Sequence, residues 1–315
     1  MESIIFGPVP SRRLGKSVGI NNIPYKVCSY SCAYCQIGKA GKMQVYRRKF
    51  YSPDTIIRQL EYKLNCLSRR DFPDYITLVP DGEPTLDIQL GELIIRLKSY
   101  GLPVAVISNG SLLYQTEVQS GLLEADYVSL KVDTANQSSW RKVNKPHKEL
   151  NHNLILQSIR EFSKKFKGTL VTETMLLKDI NDSGEELEAL AQFLNGIEPE
   201  IAYIAIPTRP LAFGGVFPAE ETAVAMAHET FSRYKLNAEL LTGYEGNAFA
   251  SSGNFTDDFL SITAVHPMRR DAVLELLARS NATETSLNHL IENELIEKVT
   301  FNKQDFYLRK FSGIH

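Results

Sequence analysis

Short runs of aliphatic and β-branched residues alternate along the chain with segments whose apolar positions recur every three or four residues. YITLVP (75–80), PVAVISN (103–109), DYVSLKVD (126–133), GTLVTETMLL (168–177) and YIAIP (203–207) read as strands buried on both faces, and SVGINNI (17–23) reads as a first strand. Helical patterns separate them at 52–70, 112–125, 152–166 and 183–194. The last carries a capping-box pattern, Ser183 followed three positions later by Glu186, which can satisfy two exposed amide donors. About six β-α units result, the arrangement of a parallel sheet covered by helices. Periodicity alone fits an open doubly wound sheet or a partial barrel equally well.

After the glycine- and serine-rich stretch GYEGNAFASSGN (243–254) the pattern changes to a helix (269–280), a second helix (284–299) and a short hairpin (299–311). That order is winged-helix-like and divides the chain into a β-α domain over 1–245 and a linker with a small module over 246–315. Residues 265–315 carry seven Lys and Arg against seven Asp and Glu, and the expected second helix holds Glu292, Glu294 and Glu297. Duplex binding needs cations against phosphate, so this composition favours a protein contact, a peptide contact or simple packing.

With 315 residues, 43% of them hydrophobic and 23% charged, the chain has the composition of an ordinary globular protein with a substantial core. No apolar run approaches the roughly 18 residues of a membrane span, and MESIIFGPVPSRR lacks a basic stretch followed by an apolar one, so the expected location is cytoplasmic, with no membrane partner. The net charge of -2 conceals an asymmetry: residues 1–70 hold 13 Lys and Arg against three acids. A positive N-terminal region can attract phosphate-bearing substrates, offset an anionic metal cluster, or simply face solvent.

That same region contains YKVCSYSCAYCQIG (25–38), with three of the four cysteines, Cys28, Cys32 and Cys35. A disulfide framework is a poor fit to such crowding. Thiolates are soft ligands suited to zinc or to iron-sulfur clusters. A structural zinc site wants four ligands, whereas a cubane held by three cysteines leaves one iron for another ligand. From spacing alone, a zinc knot and three buried thiols stay open beside the cluster.

With Tyr34 immediately before the third cysteine, CSYSCAYC resembles the signature of radical S-adenosylmethionine enzymes. The resemblance implies a [4Fe-4S] cluster whose unique iron is chelated by S-adenosylmethionine, reductive cleavage to methionine and a 5'-deoxyadenosyl radical, and hydrogen abstraction from a substrate. Asp81-Gly82-Glu83-Pro84-Thr85-Leu86 is similar to the family's Gly-Gly-Glu-type motif, which binds the methionine amino group, with Asp81 in place of the first glycine. FGPVPSRRLGKSVGIN, ETMLLKDIND (173–182) and YIAIPTRP (203–210) are similar to relatives of the radical enzymes that build the wyosine base of tRNA. On this resemblance the fold is α/β, a partial (β/α)6 TIM-like barrel with the small C-terminal module. The second-cluster cysteines of the wyosine enzymes are missing, since only Cys66 is left over. The flavodoxin-like domain of some members is missing too, which implies an external electron donor such as a flavodoxin or ferredoxin. A tRNA nucleoside is the expected substrate, with a peptide as the alternative; the rival to an enzyme is an iron-sulfur sensor with a winged-helix output.

Cys28, Cys32 and Cys35 are the expected metal ligands. Glu83, Asn109, Lys131, Asp133 and Glu173, all at strand ends or within strands, are expected to contact the cofactor. Glu173 lies in an otherwise apolar strand and needs a hydrogen-bonding partner, for which the cofactor ribose is a candidate. Lys131 and Asp133 alternate about Val132, so both can face one side, or form a buried ion pair. Arg12, Arg13 and Arg209 are candidate substrate contacts through forked hydrogen bonds, with solvated arginines as the alternative. Cys66 reads as core, and the six histidines, His147 and His152 among them, form no ligand pattern.

Overall fold

A computed structural model describes residues 4–310, apart from 39, 41, 212, 243–246, 248 and 302. The strands are β1 (Ile5–Ser11), β2 (Gly15–Ile20), β3 (Val27–Cys28), β4 (Lys42–Met43), β5 (Tyr75–Leu78), β6 (Val104–Ser108), β7 (Tyr127–Lys131), β8 (Thr169–Met175), β9 (Ile201–Ala205), β10 (Ala238–Leu241), β11 (Met268–Arg269), β12 (Ile296–Phe301) and β13 (Gln304–Arg309). The helices are α1 (Pro53–Asn65), α2 (Leu90–Lys98), α3 (Thr116–Leu122), α4 (Gln137–Val143), α5 (His152–Lys165), α6 (Gly184–Asn195), α7 (Glu221–Arg233), α8 (Phe255–Val265), α9 (Arg270–Arg279) and α10 (Glu284–Glu292).

The main sheet runs β1-β2-β5-β6-β7-β8-β9-β10. Neighbours from β2 to β10 pair parallel, and β1 pairs antiparallel with β2 at the edge. This is the open, partial barrel expected, with two strands more than the sequence pattern indicates. β1 carries no continuous strand signal in the sequence because Gly7, Pro8 and Pro10 break its run, and its register with β2 shifts between Phe6 and Val9. β10 carries no strand signal because AELL has one buried residue of four and no β-branched side chain.

The near-continuous apolar strands follow from burial on both faces. Val104, Val106, Val128, Leu130, Ala202 and Ile204 pack against the helices. Their alternates Ala105, Tyr127, Val171, Tyr203 and Ala205 form a separate interior cluster. Ser17, Thr77 and Ser129 also come from these strands and are buried. Small interior side chains keep the inner face from filling completely.

Helix starts match their caps: Ser52, Asn151, Ser183 and Asn254 each accept an amide of the first turn. Only half of the expected capping box forms. Ser183 Oγ accepts from Glu186 N at 3.4 Å, but the Glu186 carboxylate accepts from the Thr134 and Ser139 hydroxyls at 2.6 and 2.5 Å. Cys66 is exposed rather than core, because α1 ends at Asn65 and Cys66 becomes its C-cap.

The C-terminal strands form an antiparallel sheet in the order β11-β13-β12, packed with α8, α9 and α10 on Phe259, Leu276, Leu290 and Tyr307. The expected second helix stops at Glu292: Asn293 caps it and Glu294 takes a φ of 56° before β12 begins. Glu297 therefore lies on a strand. The expected boundary at 245–246 falls outside the described residues. The module is tied to the sheet by Val9 of β1, which packs on its core, and to α1 and the turn after it by the Lys63–Asp258 and Arg279–Asp71 ion pairs at 2.8 and 2.5 Å. No described helix is long and apolar enough to cross a membrane.

Candidate active site

A cavity of about 370 Å³ opens at the C-terminal ends of the parallel strands, where ligands bind in α/β folds. Cys28, Cys32, Cys35, Glu83, Asn109, Lys131, Glu173, Arg12, Arg13 and Arg209 all line it. Asp133 does not line it.

The cysteine loop follows β2 and is fixed from below. Tyr34 donates its hydroxyl to Asp133 Oδ2 at 2.7 Å, and Asn144 Nδ2 donates to the same oxygen at 2.6 Å. Asp133 Oδ1 accepts the Met175 amide at 2.8 Å, so this carboxylate is an anchor for the loop. Asn144 Nδ2 also lies 3.6 Å from Cys32 Sγ, and Asn109 Nδ2 lies 3.8 Å from Cys28 Sγ. All three cysteines are free thiols of intermediate exposure. Burial pushes Cys28 up to about 12, helped by the Glu83 charge. Burial also raises Cys32 well above the usual thiol range and raises Cys35. Loading a metal on these thiols must therefore release protons.

The donor set fits a site-differentiated cluster. A zinc knot wants four ligands, and this loop brings three cysteines to the cavity with Asn109 and Asn144 beside two of their sulfurs. Cubane ligands bind separate irons and need not converge, and this loop supplies three of them beside an open cavity. The buried Lys26 Nζ, without a hydrogen-bond partner among the described residues, supplies positive charge in the same wall. Burial lowers the Lys26 pKa, while Cys35, Asp81 and Cys28 oppose the change.

Glu83 is 1% exposed. Its Oε1 accepts from Thr85 N, Thr85 Oγ1 and Ser108 Oγ at 3.1, 2.6 and 2.6 Å, and Oε2 accepts from Asn109 N at 2.8 Å. Burial raises its pKa, and these donors oppose the rise. The preceding Gly82 permits a close backbone approach: a Cβ there would lie 1.9 Å from the Val27 carbonyl oxygen. The motif and the cysteine loop are thus in direct contact, with the Glu83 amide donating to that carbonyl at 3.2 Å.

On the opposite wall, Glu173 receives Arg13 Nη1 on Oε2 and Lys131 Nζ on Oε1. Lys131 and Glu173 are register partners on adjacent parallel strands, so Lys131 pairs with Glu173 and not with Asp133. Burial raises the Glu173 carboxyl, but Arg13 and Lys131 outweigh it and hold it at about 2. Arg209 Nη1 donates to Gln36 Oε1 at 2.7 Å, and its Nη2 lies 2.9 Å from His266 Nε2. Burial, followed by the Arg209 charge, lowers His266 well below the usual histidine range. With imidazole neutral, Nε2 accepts from Arg209.

Sequence reasoning did not assign Lys26, Gln36, Asn144 or His266 to the site. Lys26 and Gln36 flank the cysteines, so proximity along the chain marks them. Asn144 and His266 come from distant helix ends, for which the sequence carries no local signal.

The fold and this constellation define a class, and comparison with known proteins agrees. The sequence model described as "Radical SAM superfamily" matches residues 22–194, and the chain belongs to that superfamily. A UPF0026 protein of Methanocaldococcus jannaschii is 39% identical over 99% of this chain and 97% of its own length. Two solved structures share the fold. One, TYW1 with a lysine-pyruvate adduct bound, has a TM-score of 0.53 at 15% identity over 70% of this chain and 75% of its own. A radical SAM methyltransferase from Sphaerobacter thermophilus has a TM-score of 0.55 at 14% identity over 72% of this chain and 66% of its own. The chain is a radical SAM enzyme, with a [4Fe-4S] cluster and S-adenosylmethionine as cofactors, that cleaves S-adenosylmethionine reductively.

Proposed function

We propose that this enzyme acts on a phosphate-bearing substrate, a tRNA nucleoside, admitted to the cavity at the C-terminal ends of the strands. When bound, the cluster and S-adenosylmethionine would supply the radical chemistry for hydrogen abstraction from the substrate. Cys28, Cys32 and Cys35 would hold the cluster, and Glu83, whose Oε2 has one partner among the described residues, would receive the amino group of S-adenosylmethionine. Asn109, Lys131 and Glu173 orient the cofactor from the walls, and Asp133 acts through Tyr34 and Asn144. Arg12 at the exposed rim, with Arg13 and Arg209 further in, binds the substrate anion. The observation that carries the reading is the convergence of three thiols, Glu83 and three arginines on one cavity.

Residues 1–245 form the catalytic domain and 246–315 a winged-helix-like module; the order α8, β11, α9, α10, β12, β13 supports that description. His266 of the module lines the cavity, which favours a wall of the active site over a detached sensor output. The reductant comes from outside the chain, as a flavodoxin or ferredoxin.

Anaerobic reconstitution and reduction, with bulk tRNA present, tests this reading through 5'-deoxyadenosine formation. Formation stimulated by tRNA supports it. Salt-insensitive or absent tRNA binding would remove the tRNA substrate, and stimulation by peptides instead would put a peptide in its place.

A further inference from the structure

Lys26 stands in the cavity wall without an assigned task. It adopts a φ of 63°, two residues before Cys28, and its amide donates to the Asp81 carbonyl at 2.9 Å. The loop is thereby pinned to the turn that carries Glu83. Lys26 is 7% exposed, and its Nζ is buried with no hydrogen-bond partner among the described residues. Nζ lies 5.3 Å from the Tyr25 ring centroid, and a Cβ on Gly38, just past Cys35, would be 2.9 Å from it. Tyr25 in turn donates its hydroxyl to the Ile37 carbonyl at 3.1 Å, so the amine is held between the two ends of the cysteine loop. Asp81 does not take this amine: its Oδ2 accepts Asn21 Nδ2 at 2.8 Å, and its amide donates to Asn21 Oδ1 at 3.0 Å.

A buried ammonium without a partner is costly, and an anion in the adjacent cavity removes the cost. We propose that Lys26 is the counter-cation of the bound cofactor pair, its ammonium meeting an anionic acceptor presented beside Cys28 and Cys35. The acceptor is either a sulfur of the negatively charged cluster or the carboxylate of S-adenosylmethionine. This rests on the radical SAM assignment of the site. A compact ammonium suits either acceptor as a point charge.

The test compares wild type, Lys26→Met and Lys26→Arg after anaerobic reconstitution, with iron and sulfide content and the electron paramagnetic resonance of the reduced cluster measured first. Wild-type protein that holds no [4Fe-4S] cluster would overturn the assignment of the site, separately from Lys26. With clusters loaded, S-adenosylmethionine is titrated by the change in that spectrum, and the cluster midpoint potential is measured without it. If the carboxylate is the acceptor, Lys26→Met binds S-adenosylmethionine about tenfold more weakly, its cofactor-free potential is unchanged, and the deficit vanishes with decarboxylated S-adenosylmethionine. If the cluster is the acceptor, loss of the cation lowers the potential before S-adenosylmethionine is added. Lys26→Arg keeps most of either effect. Where Lys26→Met fails to load, loading by Lys26→Arg supports the cation, and failure of both overturns it in favour of a shape requirement. Affinity and potential both unchanged in Lys26→Met also overturn the proposal.

Discussion

Tyr34 donates its hydroxyl to Asp133 at 2.7 Å, joining the residue before the third cysteine to the end of a neighbouring strand. The carboxylate thus shapes the cluster loop from beneath the cavity. Tyr34→Phe leaves Asp133 its bonds from Asn144 and Met175, and should cost about 1 kcal/mol in chemical denaturation. Asp133→Ala strips all three donors of their acceptor and should cost about 3 kcal/mol, with iron content after reconstitution falling alongside. Equal, small effects of the two variants would contradict the anchoring role.

Gly82 allows the motif and the cysteine loop to touch, since a Cβ would meet the Val27 carbonyl at 1.9 Å. Gly82→Ala should lower stability by more than about 2 kcal/mol and prevent full cluster loading, whereas Asp81→Gly should retain loading. Circular dichroism during unfolding, together with iron analysis, checks both.

The carboxyl of Glu173 is held at about 2, below its ordinary 4.5, because Arg13 and Lys131 overcome the effect of burial. A depressed acid stabilises the folded state above the unfolded pKa, and the contribution is lost as pH falls from 4.5 towards 2. The shift corresponds to on the order of 3 kcal/mol. Replacement of Glu173 by Gln should therefore cost most at pH 7, and the difference in urea midpoint from wild type should shrink below pH 4.5. A pH-independent difference would remove the ion pairs as its cause.

Cys66 is exposed at the end of α1 and the other three cysteines line the cavity. Cys66→Ala should leave iron and sulfide per chain unchanged, while Cys32→Ser should lose the [4Fe-4S] spectrum. Loss of cluster in both would assign Cys66 a part that its position does not suggest.

Arg12 is exposed at the rim and Arg209 is 6% exposed within. If the substrate is tRNA, Arg12→Ala should weaken binding across tRNA sequences alike and reduce the slope of log affinity against log salt by about 1. His266→Ala removes one acceptor from Arg209 and should reduce substrate-stimulated 5'-deoxyadenosine formation while cluster loading persists. Filter binding across a salt series and the deoxyadenosine assay separate the two.

The sequence by itself determined the chemistry-bearing loop, because Cys28, Cys32 and Cys35 act through ligand type and short spacing, which are local properties. It also determined most of the parallel strands, since burial on both faces writes itself as an apolar run. It did not reveal β10, whose exposed residues leave no such run, or the end of α10, where Glu294 enters the left-handed region. Only the tertiary structure decided what each buried charge meets. Glu173 lies between Arg13 and Lys131, 160 and 42 residues away in the chain; Asp133 holds Tyr34, and His266 reaches Arg209 from another module. Those pairings depend on how strands and helix ends are brought together in space, and spacing along the chain does not encode them.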